Sequence, residues 1–336
     1  MVSLTSTRVR SSSLSSLADA DTYRKRWCRR LTKDVAIRTS LNASCVGAET
    51  MSILEYADLA ARHGFDGIDV PSLGAAMRTA QSMGGPGALK DALDEKDIAP
   101  VIFGLAPEMG LAGVEWRKDE ERFRQSLKTL ANLARFAHAL GILRCYTYLP
   151  PAVDTDPGKF ENMLTDRLRE IARLLDDHGI RVGVEWLGPH HLRAEGSNPF
   201  GTNPFIFTLE RTLAFIDKVG ISTVGLVLDS LHTYTSNVGE FEIAALTATQ
   251  IVHVHLSDVI KGKGPATARS DERLLPGLGE VDLVAFLRGL RATGYQGYVS
   301  VEVIAANNIA KTPNDAAAKI RSSLRELNLG RRTSST

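Results

Sequence analysis

From residue 35 onward the chain alternates short β-type runs with helical runs, eight times and without a break. The β-type runs are VAIRTSLN (35–42), FDGIDV (65–70), IAPVIFGL (98–105), RCYTYL (144–149), RVGVEWLG (181–188), TVGLVLDSLH (223–232), IVHVHLSD (251–258) and YVSVEVI (298–304). Helical patterns fall at 52–64, 88–97, 122–141, 158–178, 208–220, near 240–248, 281–294 and 313–327. Gly64, Gly141 and Gly179 stand where helices should stop. Strands alternating with helices build parallel βαβ units. Eight such units predict a single closed (β/α)8 barrel of the α/β class. An open doubly wound sheet would want a Gly-rich phosphate turn after the first strand, and residues 40–45 offer none.

Four of the later β-type runs end in a residue able to bind a divalent metal: Glu185, Asp229, His255 and Glu302. A parallel barrel exposes such residues at the C-terminal mouth of its strands. Side chains two apart share a face of a strand, so Gly183 and Glu185 share one face while Val182, Val184 and Trp186 take the other. Helices cover the outer face, which sends Glu185 into the lumen. A lone glutamate there would be costly unless paired or metal-bound. Three carboxylates and one imidazole form a hard, mostly oxygen set suited to one divalent ion: Mn²⁺ first, then Mg²⁺, Co²⁺ or Zn²⁺. A structural salt bridge is the plainer alternative for each residue taken singly; four equivalent strand ends together favour the metal. His253 shares a face with His255 one layer deeper and reads as a packed core residue. Asp258 either orients His255 or caps a loop. Asp229 and His232 form D-x-x-H, which can put the imidazole towards a substrate.

Composition excludes other classes. The chain has 336 residues, is 43% hydrophobic and carries a formal net charge of +1, with no global field to attract nucleic acid or an anionic membrane. No run approaches the ~20 apolar residues of a membrane helix. Cys28, Cys45 and Cys145 are few and lack a CxxC, which fits free thiols and a cytoplasmic location. Residues 1–34 are Ser- and Arg-rich, and 24–30 read RKRWCRR. They are expected to form a disordered or loosely docked N-terminal extension that touches the barrel through Tyr23 and Trp27. The barrel is then 35–327, and 328–336 a frayed C-terminal tail.

The segments GVEWLG, GLVLDSLHTY, VHVHLSD, RLLPGLGEVDL (273–283) and GYVSVEV resemble the xylose isomerase-like TIM-barrel superfamily, in its sugar phosphate isomerase/epimerase group. The resemblance runs from about 35 to 325. It implies Glu185, Asp229, His255 and Glu302 as ligands of one Mn²⁺-like ion, with Glu185 and Glu302 also as the acid/base pair. It implies His232 and an arginine after the seventh strand, Arg269 or Arg273, as substrate contacts. The group holds ketose 3-epimerases, inosose isomerases and dehydratases, and dehydroshikimate dehydratases; subunits of C-glycoside deglycosidases share the fold. The implied activity is a metal-dependent isomerase or epimerase abstracting a proton α to a carbonyl through a metal-bound enediolate. A lyase on the same scaffold is the alternative, and a non-catalytic sugar-binding barrel a second. The expected partner is a sugar or keto-polyol, with a homo-oligomer or a small partner subunit open. The segment 188–205 is longer and more polar than an epimerase usually shows, so His190, His191 and Arg193 are further candidates for the pocket wall. Lys261 and Lys263 could hold a phosphate or simply belong to a flexible loop. Endonuclease IV shares the fold but needs a three-zinc ligand set that this chain lacks.

Overall fold

The computed structural model describes residues 37–48, 50–105, 116–117, 119–303 and 309–330. The expected N-terminal extension, with Tyr23, Trp27 and Cys28, lies outside the described residues, as do 331–336. The strands are β1 (Arg38–Asn42), β2 (Gly67–Asp69), β3 (Ala99–Gly104), β4 (Arg144–Leu149), β5 (Ala152–Val153), β6 (Arg181–Trp186), β7 (Asn203–Pro204), β8 (Val224–Asp229), β9 (Ile251–Leu256) and β10 (Tyr298–Val301). Eight of them close into a barrel in the order β1-β10-β9-β8-β6-β4-β3-β2. Every neighbouring pair in it is parallel. This is the (β/α)8 architecture that the alternation predicts.

Local chemistry sets the helices. Helix Ile53–Arg62 starts at Ser52, whose hydroxyl accepts the Glu55 N–H while the Glu55 carboxylate accepts the Ser52 N–H. Removing such a cap typically costs about 1 kcal/mol. Pro157 and Pro313 open helices Pro157–Asp176 and Pro313–Glu326 behind the caps Asp156 and Thr312. Their apolar faces pack on the outer strand face in one large core, while Val101, Ile102, Tyr146, Val227 and Tyr298 form a separate cluster. Gly183 is needed where it stands: a Cβ there would lie 2.6 Å from Val227 Cγ2.

The structure adds elements that periodicity did not reveal. The Gly/Ala/Met-rich stretch before residue 88 holds helix Leu73–Ser82, capped by Ser72 and buried through Leu73, Ala76 and Ala80. The next helix is Pro86–Asp94 rather than 88–97. The two alanines on the buried face of the first helix leave it without a strong apolar stripe, while the second buries Leu89 and Leu93. The run 223–232 is strand only to Asp229, where helix Ser230–Thr235 begins. Inside the polar loop 189–206, His190–Leu192 makes a 3₁₀ turn and β7 pairs antiparallel with β5.

Candidate metal centre

Parallel register brings the strand ends to one level. Asp229 on β8 stands opposite His255 on β9, which stands opposite Ser300 on β10. Glu302 follows β10, its N–H bonded to Leu256 O at 2.9 Å. Glu185 is the penultimate residue of β6, paired in register with Tyr148 on β4. One ligand-type atom from each of Glu185, Asp229, His255 and Glu302 lies within 4.8 Å of those of the other three. All four residues are buried. Ligands at about 2.0–2.3 Å from one ion stand roughly 3–4.5 Å apart, so the spacing fits a single divalent cation.

The charges are strongly coupled. His255 Nδ1 lies 3.1 Å from Glu185 Oε1 and 3.9 Å from Glu302 Oε2. Burial raises the Glu185 carboxyl, and the Glu302 charge raises it further, to about 7. Burial would lower the His255 imidazole, but the Glu302 and Glu185 carboxylates outweigh it and raise it to about 10. Burial would raise Asp229 as well, yet Arg273 and His232 hold it down at about 2. A cation at this place would displace the proton shared by His255 and Glu185 and balance the carboxylate charge.

Arg273 closes the cluster from one side. Its Nη1 donates to Asp229 Oδ2 at 2.6 Å and to Ser257 Oγ at 3.0 Å, and its Nη2 lies 3.0 Å from Glu302 Oε2. Asp258 explains how a loop residue reaches so deep. Its carboxylate accepts the N–H groups of Val259, Gly277, Gly279 and Val281, and its backbone pairs with Leu274. Asp258 therefore folds the loop that carries Arg273 and does not orient His255. Gly279 permits the close turn, because a Cβ there would lie 2.0 Å from Val259 O. Buried His232 accepts the Gly188 N–H on Nδ1 at 3.3 Å, leaving Nε2 3.4 Å from Arg273 Nη2. Burial pulls its pKa down to about 4.

Other candidates stand elsewhere. Arg269 pairs with Asp271 through two contacts of 2.9 Å and reaches Ser197, not the four-residue cluster. His190, His191, Arg193 and Arg269 line a separate cleft of about 450 Å³ with Phe207 and Ala266. The Arg193 guanidinium is spent on the carbonyls of Gly188 and Thr235. Lys263 pairs with Glu272. Cys45 and Cys145 are buried free thiols. Sequence reasoning missed Asp69, which ends β2 and lies in a second buried group with His253 and His255. The rule that found the other four, an acid or imidazole closing a strand, would have found it too.

The sequence pattern of the family described as "Xylose isomerase-like TIM barrel" matches residues 57–327. A xylose isomerase domain protein from Alicyclobacillus acidocaldarius superposes with a TM-score of 0.75 at 30% identity, over 87% of this chain and 98% of that one. An inosose isomerase of Bacillus subtilis is 24% identical over 77% of this chain and 86% of its own length. A 3-dehydroshikimate dehydratase of Pseudomonas putida is 27% identical over 51% of this chain but only 25% of its own length.

Proposed function

The chain belongs to the xylose isomerase-like TIM barrel family, and from that premise we propose that it is a divalent-metal-dependent isomerase or epimerase of a sugar or keto-polyol. The convergence of Glu185, Asp229, His255 and Glu302 within 4.8 Å, all buried, carries the reading. These four would hold the ion. A divalent cation there, Mn²⁺ foremost, would polarise a substrate carbonyl and acidify the neighbouring C–H.

The chain's own groups do the rest. One of Glu185 and Glu302 takes the α-proton and the other returns one, as paired carboxyl groups can. Arg273 keeps Asp229 and Glu302 oriented, and His232 with Arg273 faces substrate oxygens. Return to the same carbon from the other face is epimerisation; return to the adjacent carbon is aldose–ketose isomerisation. The match to a dehydratase supports a second reading, in which a β-leaving group departs from the same carbanion equivalent. Incubating Mn²⁺-loaded protein with keto-sugars, inosose and dehydroshikimate in deuterated water tests both. Deuterium at the α-carbon of a recovered or isomerised substrate is expected; an eliminated water selects the lyase. No exchange with any of them contradicts the proposal.

A further inference from the structure

Resting on the reading of Glu185, Asp229, His255 and Glu302 as cation ligands, we propose that Asp69 is the residue that positions His255 for the ion. His255 faces the cluster through Nδ1, 3.1 Å from Glu185 Oε1. An ion bound at Nδ1 uses that lone pair, so the ring proton of neutral His255 sits on Nε2 and needs an acceptor. Nε2 is buried and has no hydrogen-bond partner. Asp69 Oδ2 is buried and makes no hydrogen bond; His253 Nε2 stands 3.9 Å from it, beyond hydrogen-bond reach. One ligand-type atom from each of Asp69, His253 and His255 lies within 4.8 Å of those of the other two. Two hydrogen bonds of about 2.8 Å through one water span such a gap.

The surroundings single out Asp69. Its other oxygen, Oδ1, accepts the Ser40 hydroxyl at 2.6 Å, which fixes the carboxylate with Oδ2 left over. The imidazole of His255 is walled by the Tyr146 ring at 5.3 Å and the His253 ring at 5.1 Å, both edge to face. His253 already engages Ser300 Oγ through Nε2 at 3.0 Å. The His255 Nε2–H thus donates to one bridging water that donates to Asp69 Oδ2, which locks the tautomer and turns the Nδ1 lone pair to the ion.

The test compares Mn²⁺ binding by wild type, Asp69→Asn and His253→Gln, read by electron paramagnetic resonance of the free ion, with circular dichroism to confirm folding. Wild type is expected to bind one ion per chain. Asp69→Asn should bind it about 10–100-fold more weakly, and His253→Gln within about threefold of wild type. In Zn²⁺-loaded wild type, the ring ¹⁵N spectrum of His255 should show the Nε2–H tautomer with a hydrogen-bonded, downfield proton. That spectrum needs no variant, so a misfolded Asp69→Asn protein does not shield the proposal. Unchanged affinity in Asp69→Asn, a larger loss in His253→Gln, an Nδ1–H tautomer, or two ions per wild-type chain would each overturn it. Failure of wild type to bind any ion would overturn the ligand reading itself.

Discussion

Two places in this protein gather histidine and arginine near polar loops, and they differ in how the side chains are held. At the barrel mouth, Glu185, Asp229, His255 and Glu302 sit at or just past strand ends, buried, with Arg273 closing over them. Around the neighbouring cleft, His190, His191 and Arg193 come from the 188–205 segment, and Arg269 is satisfied by its own neighbour Asp271. Strand register dictates position to within one residue. A loop dictates only proximity. The same residue types therefore make a concentrated charge cluster in one place and a partly solvated wall in the other.

The comparison breaks first at the proton-transfer pair. Glu185→Gln and Glu302→Gln should each slow solvent deuterium exchange at the substrate α-carbon by about 10²–10⁴-fold, read by mass spectrometry, while His190→Ala should leave exchange within a fewfold. Comparable losses at His190 would move the chemistry to the cleft. Arginines sharpen it next. Replacing Arg273 by Met strips the cation from a buried pair, a change that typically costs about 3–5 kcal/mol. Arg269→Ala, whose guanidinium pairs with exposed Asp271, should leave the urea midpoint where it is. Equal midpoints for the two variants would deny the difference in burial. Chelation has the third largest effect. Removing an ion present at 100 times its Kd should destabilise the protein by about 2.7 kcal/mol, and EDTA should lower the thermal midpoint of wild type but not of His255→Ala.

Acid gives the smallest effect, in the Arg273 loop. Glu280 accepts the Tyr234 hydroxyl and the N–H groups of Gly262 and Gly264, which lower its pKa from 4.5. A carboxyl depressed on folding stabilises above its unfolded value, and that contribution fades as pH falls through the folded one. Amide exchange at Gly262 and Gly264 should accelerate below about pH 4.5 beyond the intrinsic rate, and Glu280→Gln should abolish that extra dependence.

Much of this was legible beforehand, for physical reasons. A half-buried strand has a period of two and a barrel strand a direction, so GVEW alone sends Glu185 inward and towards the mouth. The helices of larger apolar residues announced themselves in the same way. Leu73–Ser82 did not, because its buried face is Leu73 with the small Ala76 and Ala80, which make no strong stripe. Which of Arg269 and Arg273 reaches the cluster was not legible either. It depends on Asp258 collecting four N–H groups from a loop whose path no periodicity encodes. Asp69 obeys the same strand-end rule, since it closes β2 within the run FDGIDV.

The most direct test of the whole account is an anomalous difference map from crystals soaked in Mn²⁺. The account predicts one peak per chain, bonded to Glu185, Asp229, His255 and Glu302 together. A peak in the His190–His191 cleft instead, or four empty side chains at saturating Mn²⁺, would contradict it.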